Sequence, residues 1–212
     1  MNAHKLFSEA WLRCDTLAQM HAYLASTTTR ALSTDELLRA EWVARVAALD
    51  SYVHELVAQG MIEVFKGQRV ATPAYQKFSL RNDVVDRIRC AATPEDAAAT
   101  FDLEIRRQLG FITFQTPEAI ADGVRLISSL ELWNEVAIQW GAPGARVNTE
   151  AKVAKRQLSL IVERRNKIAH EGDMQPVSPR EPWPISSTDL REVRSFIENL
   201  VRSVDALVVC SQ

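Results

Sequence analysis

The sequence predicts an all-α fold, a bundle of amphipathic helices with shorter helices between them. Three observations carry this. Apolar residues recur at three- and four-residue steps along most of the chain. The pairs Thr93-Pro94 and Thr116-Pro117 stand where helices begin, threonine as cap and proline in the first turn. The one strand-like run, residues 111–115, has no second run to pair with.

Taken in order, residues 3–25 form the first expected helix, with Leu6, Phe7, Ala10, Trp11, Leu17 and Leu24 turned inward. It frays into residues 26–29. Ser33-Thr-Asp-Glu36 reads as a capping box, in which serine and glutamate satisfy each other's orphan amides. The box opens a long helix to about Gln59, closed by Gly60, with the stripe Trp42, Val46, Leu49, Val53 and Leu56. Residues 61–81 read as a turn of helix and then irregular chain broken by Gly67 and Pro73. Residues 82–91 read as a short helix, and Thr93 starts another that ends near Gly110. Residues 111–115 then connect to a helix from Thr116 to about Trp140, ended by Gly141, Pro143 and Gly144. A helix from about 148 to 171, a Pro-rich loop over 172–186 and a last helix over 188–209 follow. Ser186 or Ser187 caps the last helix, whose inward set is Val193, Phe196, Ile197, Leu200, Val204 and Leu207.

With 212 residues and 47% hydrophobic content the chain can bury one sizeable core, so a single domain over 1–212 is expected. A net charge of −2 gives no global attraction to nucleic acid, so polyanion binding would need a local patch. Cys14, Cys90 and Cys210 are widely spaced, with no CxxC pair. They read as reduced thiols in a cytosolic setting, neither a disulfide frame nor catalytic. No apolar run is long enough to span a bilayer, and Glu9, Arg13 and Asp15 interrupt any secretory signal, so a cytoplasmic location is expected. No Gly-rich phosphate loop follows a strand and no His/Cys cluster has metal spacing, so neither cofactor nor metal is expected.

The stretch 161–173, IVERRNKIAHEGD, carries the chemistry. Val147, Ala151, Ala154, Leu158, Ile161, Arg165 and Ile168 share one helical face. Six are apolar, and Arg165 is a permanent cation among them, a local rule broken as functional sites break it. Gly172 ends the helix, which puts His170 in its last turn, at the negative end of the dipole. There an imidazole can exchange protons near neutral pH. Asn166, four residues earlier, is placed to orient that ring. Five residues put Arg165 and His170 about 140° apart, so one chain does not naturally join them. A two-fold dimer packing this helix end on its copy would bring both pairs into one cleft. His170 would then act as general base on a ribose 2′-hydroxyl or as acid on the leaving oxygen, worth roughly 10²–10⁴-fold. Arg165 would hold the phosphate and its developing charge, with no metal required. Against this stands a plainer alternative, in which Arg165 makes a buried ion pair and His170 only caps a helix.

Supporting residues carry the same choice. Asp50, a charge on an apolar face, either pairs with Arg165 or steers His170, or forms a structural salt bridge. His54 is four residues on, within reach of it. Glu171 and Asp173 flank the histidine, either as modulators or as solvated loop acids. Lys152, Lys155, Arg156, Arg164 and Lys167 lie on the motif helix, either to attract an RNA backbone or as a solvated face. Trp11, Trp42, Trp133 and Trp140 fall at helical spacing and read as core. Trp183, in the Pro-rich loop, is a loop anchor or a contact for partner or substrate.

The string RRNKIAHEGD resembles the signature of the HEPN superfamily: arginine, four to six residues, then histidine, with a polar residue directly after the arginine. Arg165-Asn166 followed by His170 fits the four-residue form, and Arg164 fits a five-residue form. LDSYVHELV at 49–57, Thr72-Pro73, FQTPEAIAD at 114–122, LW at 132–133 and the closing helix are similar to the RiboL-PSP-HEPN group. The resemblance implies a HEPN-like up-and-down bundle and a homodimer with a shared cleft. It also implies metal-independent endoribonuclease activity through Arg165, Asn166 and His170. It further suggests a toxin or phage-defence effector that meets an antitoxin or defence-system partner. Other HEPN proteins have lost catalysis and serve as scaffolds that bind nucleotide, RNA or protein, which is the second reading of this chain.

Overall fold

A computed structural model describes residues 2–29 and 32–208; Cys210 and the last residue of the expected final helix lie outside them. Among the described residues every regular element is helical, apart from one isolated bridge between Met174 and Pro182. The helices are α1 (Ala3–Thr27), α2 (Asp35–Phe65), α3 (Pro73–Gln76), α4 (Asn82–Arg89), α5 (Pro94–Leu109), α6 (Pro117–Arg125), α7 (Leu132–Gln139), α8 (Val147–Glu171) and α9 (Ser187–Val208).

Three helices start alike. Thr72, Thr93 and Thr116 accept the backbone N–H of Tyr75, Asp96 and Ala119, with proline directly after each threonine. Such a cap is worth about 1 kcal/mol. Ser186 caps α9 reciprocally: its hydroxyl accepts from the Asp189 N–H at 3.2 Å, and the Asp189 carboxylate accepts from the Ser186 N–H at 2.8 Å. The expected box at Ser33 does not form. Thr34 is the N-cap without a side-chain bond, and Glu36 instead takes the Arg39 guanidinium at 2.8 Å.

Two further boundaries depart from expectation for one shared reason. Gly60 does not end α2, which continues to Phe65. A Cβ at Gly60 would lie 2.6 Å from Ile127 Cγ2, so the glycine is there to admit that side chain. Ile127 in turn sits in the break at 126–131, where the expected single helix splits into α6 and α7. The carbonyls freed by the break are taken up. Thr72 Oγ1 donates to those of Arg125 (2.7 Å) and Leu126 (3.2 Å), and Arg69 donates to that of Ile127 (3.2 Å).

α2 is the axis of the bundle and touches α1, α5, α6, α8 and α9. Contacts fix the directions. Arg45 reaches Asp15 and Tyr52 meets Phe7, so α1 runs antiparallel to α2. Glu41 meets Arg194 and Tyr52 meets Asp205, so α9 runs parallel. Trp42 donates to the Ile161 carbonyl at 3.0 Å while Arg39 lies beyond it near Asp173, so α8 is antiparallel. These four long helices form an up-and-down bundle. The expected inward residues of α9 are buried except Leu207, which is half-buried. In α1 only Ala3, Phe7, Trp11 and Cys14 are buried, so Leu17 and Leu24 sit at a looser end. Trp140 is no core residue. It is 39% exposed, edge-on to Phe196, and donates to Ser203 Oγ at 3.0 Å.

Charges are buried in pairs. Glu41 and Arg45, both fully buried on α2, bond to each other, and Arg194 reaches the same carboxylate at 2.6 and 2.8 Å. Arg106 clasps Glu55 at 2.6 and 3.0 Å and holds its carboxyl below the ordinary range. On α5, Arg107 and Gln108 donate to buried Glu104 and lower its carboxyl from 4.5 to about 2. A carboxylate depressed by folding adds stability above its unfolded value, and that stability is lost as pH falls through the folded value. The melting-temperature gap between the wild type and Glu104→Gln should therefore be full at pH 6 and shrink between about pH 4.5 and pH 2. A gap that does not change with pH would show that the charge of Glu104 is not what stabilises.

Candidate functional site

The candidate residues lie where α8 outruns the core. Ala151, Ala154, Leu158 and Ile161 are buried against the bundle; Arg165 and Ile168, next on the same stripe, are half-buried. Asn166, Lys167, His170 and Glu171 are exposed. Gly172 ends the helix in the left-handed region (φ +63°), its N–H bonded to the Lys167 carbonyl.

Two adjacent arginines have different fates. Successive side chains stand about 100° apart on a helix, so Arg164 and Arg165 face different surroundings. Arg164 Nη2 donates to Asp173 Oδ2 at 2.6 Å and to the carbonyls of Trp183 (3.3 Å) and Pro184 (3.1 Å). It is a structural tie, and the guanidinium is committed. Arg165 makes no ion pair among the described residues. Its Nη1 donates to Asn166 Oδ1 at 3.0 Å; its buried Nε, like that of Arg164, has no partner among the described residues. The plainer alternative at this position, a buried ion pair, therefore falls to Arg164.

Asn166 accordingly orients Arg165 and makes no bond to the histidine it was expected to hold. The His170 side chain makes no hydrogen bond among the described residues. It lies about 7.5 Å along the helix axis from Arg165. Glu171 is exposed and makes no ion pair among the described residues.

Asp173 is the larger correction. Expected as a loop acid beside His170, it is fully buried, with φ +58°. One oxygen takes both Arg39 Nε (3.1 Å) and Arg164; the other is buried without a partner. Arg39 Nη2 also donates to the Trp183 carbonyl at 2.8 Å, and the Trp183 N–H returns to the Asp173 carbonyl at 2.8 Å. The loop after the motif is thus fastened to α2 and α8. Trp183 joins it through its backbone while its side chain stays 38% exposed. With Met174 and Val177 it leaves apolar surface exposed on the segment that follows His170. The sequence offered one hint, since aspartate tolerates the left-handed region better than most residues. Arg39 carried no hint.

Asp50 does not reach the motif. Its carboxylate accepts from the Phe114 N–H at 2.5 Å and the Gln115 amide at 3.2 Å, and His54 Nε2 lies 3.7 Å away. It stands about 12 Å along α2 from Trp42, which abuts Ile161. It ties down the connector between α5 and α6. Lys152, Lys155, Arg156 and Lys167 make no ion pair among the described residues, in contrast to the arginines of α2, α5 and α9 that do. No group of three or more His, Cys, Asp or Glu that could hold a metal occurs among the described residues, and no helix there is long and apolar enough to cross a membrane.

Comparison with known proteins gives one match. Residues 127–209, which span α7, α8, the fastened loop and α9, match the family model described as RiboL-PSP-HEPN. No curated protein and no solved structure matches the chain.

Proposed function

We propose, on the premise that residues 127–209 are a RiboL-PSP-HEPN segment, that this chain is a metal-independent endoribonuclease acting as a homodimer. The observation that carries the reading is that the half-buried Arg165 guanidinium has no carboxylate partner among the described residues, about one and a half turns from an exposed His170, whereas Arg164 beside it is paired with Asp173. A cation half-buried without a carboxylate is stabilised by an incoming anion, and a phosphodiester supplies one.

In the reaction, His170 of one copy takes the proton of a ribose 2′-hydroxyl, whose oxygen attacks the adjacent phosphorus. The bond from phosphorus to the 5′-oxygen breaks, and His170 of the second copy protonates the leaving oxygen. The products are a 2′,3′-cyclic phosphate and a 5′-hydroxyl. Arg165 holds the non-bridging oxygens as charge builds on them, and Asn166 fixes the guanidinium. The exposed Met174, Val177 and Trp183 supply apolar surface for the contact between copies. A toxin or phage-defence role suits such an activity, with an antitoxin or defence partner covering the cleft.

A non-catalytic HEPN scaffold is the second reading. The observation in its favour is that nothing orients the His170 ring among the described residues. The deciding experiment incubates the purified wild type and His170→Ala with total RNA and tRNA in EDTA. Cyclic-phosphate ends with the wild type and a fall of roughly 10²–10⁴-fold in the variant are expected. Unchanged cleavage by His170→Ala would defeat the catalytic assignment.

A further inference from the structure

A second concentration of unpaired positive charge lies far from His170, in a cavity of about 280 Å³ between α6, α7 and the first half of α8. Lys152 and Lys155, three apart on one face of α8, both line it, and neither has a carboxylate within salt-bridge distance among the described residues. Arg125 enters from the end of α6, paired with the exposed Asp122 of its own helix. The single acid in the lining is Glu131, whose side chain does not cap α7. Asn134 and Asn148 add two side-chain amides with no partner among the described residues, and Trp133 closes the wall with its indole N–H already given to the Pro117 carbonyl at 2.9 Å.

With Arg125 met by Asp122, Lys152 and Lys155 face the one lining carboxylate of Glu131 in a concave site with an apolar wall, an arrangement that focuses positive potential. Both amides can donate. No nucleophile or His lies in the lining, so the site is built to hold an anion, not to transform it. Its volume falls at the small end of ligand pockets, which suits a phosphate with its sugar. Lys155 is fifteen residues from His170, about 22 Å along α8, so the cavity is separate from the proposed cleft.

We propose that this cavity is a phosphate-binding site, occupied either by a phosphodiester of RNA held away from the cutting point or by the phosphate of a free nucleotide. The RNA source rests on the ribonuclease reading; the nucleotide source does not.

The test uses the full chain carrying His170→Ala, so that binding is read without cleavage, with and without Lys152→Gln and Lys155→Gln together. Binding of a ten-nucleotide single-stranded RNA is measured against salt, and binding of adenosine monophosphate by calorimetry. For RNA, the double replacement should weaken binding at least tenfold and flatten the slope of log K against log salt by about 1.4, near 0.7 for each phosphate no longer neutralised. If adenosine monophosphate binding disappears as well, the site takes free phosphate monoesters; if only RNA binding falls, it takes the strand. Arg202→Gln, an exposed cation of α9 outside the cavity, is the control. The proposal is overturned if neither probe is affected by the double replacement, if neither binds the parent, or if Arg202→Gln alone does as much. Cleavage retained by His170→Ala, with phosphate binding as expected here, would fault the catalytic reading and leave this site standing.

Discussion

Glu41→Ala should destabilise the bundle by about 3–5 kcal/mol, the range found when one partner of a buried ion pair is removed. Glu41 has no exposure and accepts four hydrogen bonds: from Arg45 Nε (3.1 Å) and Nη2 (2.9 Å), and from Arg194 Nε (2.6 Å) and Nη2 (2.8 Å). Without it Arg45, equally buried, keeps Asp15 at 2.5 Å, the Trp11 carbonyl at 3.3 Å and the Trp11 ring beneath its guanidinium at 4.1 Å. Those contacts leave a desolvated cation short of its main counter-charge. A thermal melt should fall by roughly 10 °C for a chain of this size. Glu41→Gln should fall by less, since the amide oxygen still accepts. A loss below about 1 kcal/mol for the alanine variant would mean that the core readily admits water to both arginines.

Asp173→Ala should be of similar size, about 3–5 kcal/mol, because it takes the shared carboxylate from Arg164 and leaves buried Arg39 with the exposed Glu36 as its counter-charge. Here the damage is also local. The Trp183 and Pro184 carbonyls lean on the same two guanidinium groups, so loop 173–184 loses its anchorage and should become the first site of limited proteolysis. Asp173→Asn separates the causes. Asparagine accepts the φ +58° backbone, so its loss reports the charge alone, and the further loss with alanine reports the backbone and hydrogen bonds. If both variants melt with the wild type and the loop resists protease equally, the two-arginine anchor is not what holds it.

How legible all this was depends on how local the determinant is. The helices opened by Thr93 and Thr116, and the amphipathic α9, were readable because cap and stripe lie within a few residues of one another. The end of α2 was not, because Gly60 answers to Ile127, a residue 67 positions away in the chain, and a glycine that stops a helix looks in sequence like one that admits a neighbour. The split of α6 from α7 was hidden for the same reason: Thr72 and Arg69, which take the freed carbonyls, lie outside the segment. Helical spacing put Arg165 on the stripe that α8 turns to the bundle, where it is half-buried. It could not say which of Arg164 and Arg165 would find a carboxylate, since Asp173 sits in aperiodic chain where spacing carries no information. Glu41 and Arg45 escaped notice because α2 is buried on more than one side, so inward and outward positions blur and charged residues read as solvent-facing.

The bonds that seat the last helix reach back almost to the first residue of the chain: Trp11 to Glu198 spans 187 positions and Tyr52 to Asp205 spans 153. Closing loops of that length is an entropic hurdle that local helix formation cannot lower. During synthesis α1 and α2 can pair early, but the apolar seat that α9 fills stays bare until α9 itself has left the ribosome, a window of exposure to aggregation. Closure of the bundle therefore waits on α9, and its yield in cells should depend on chaperone supply more than that of a bundle whose neighbours in space are also neighbours in sequence.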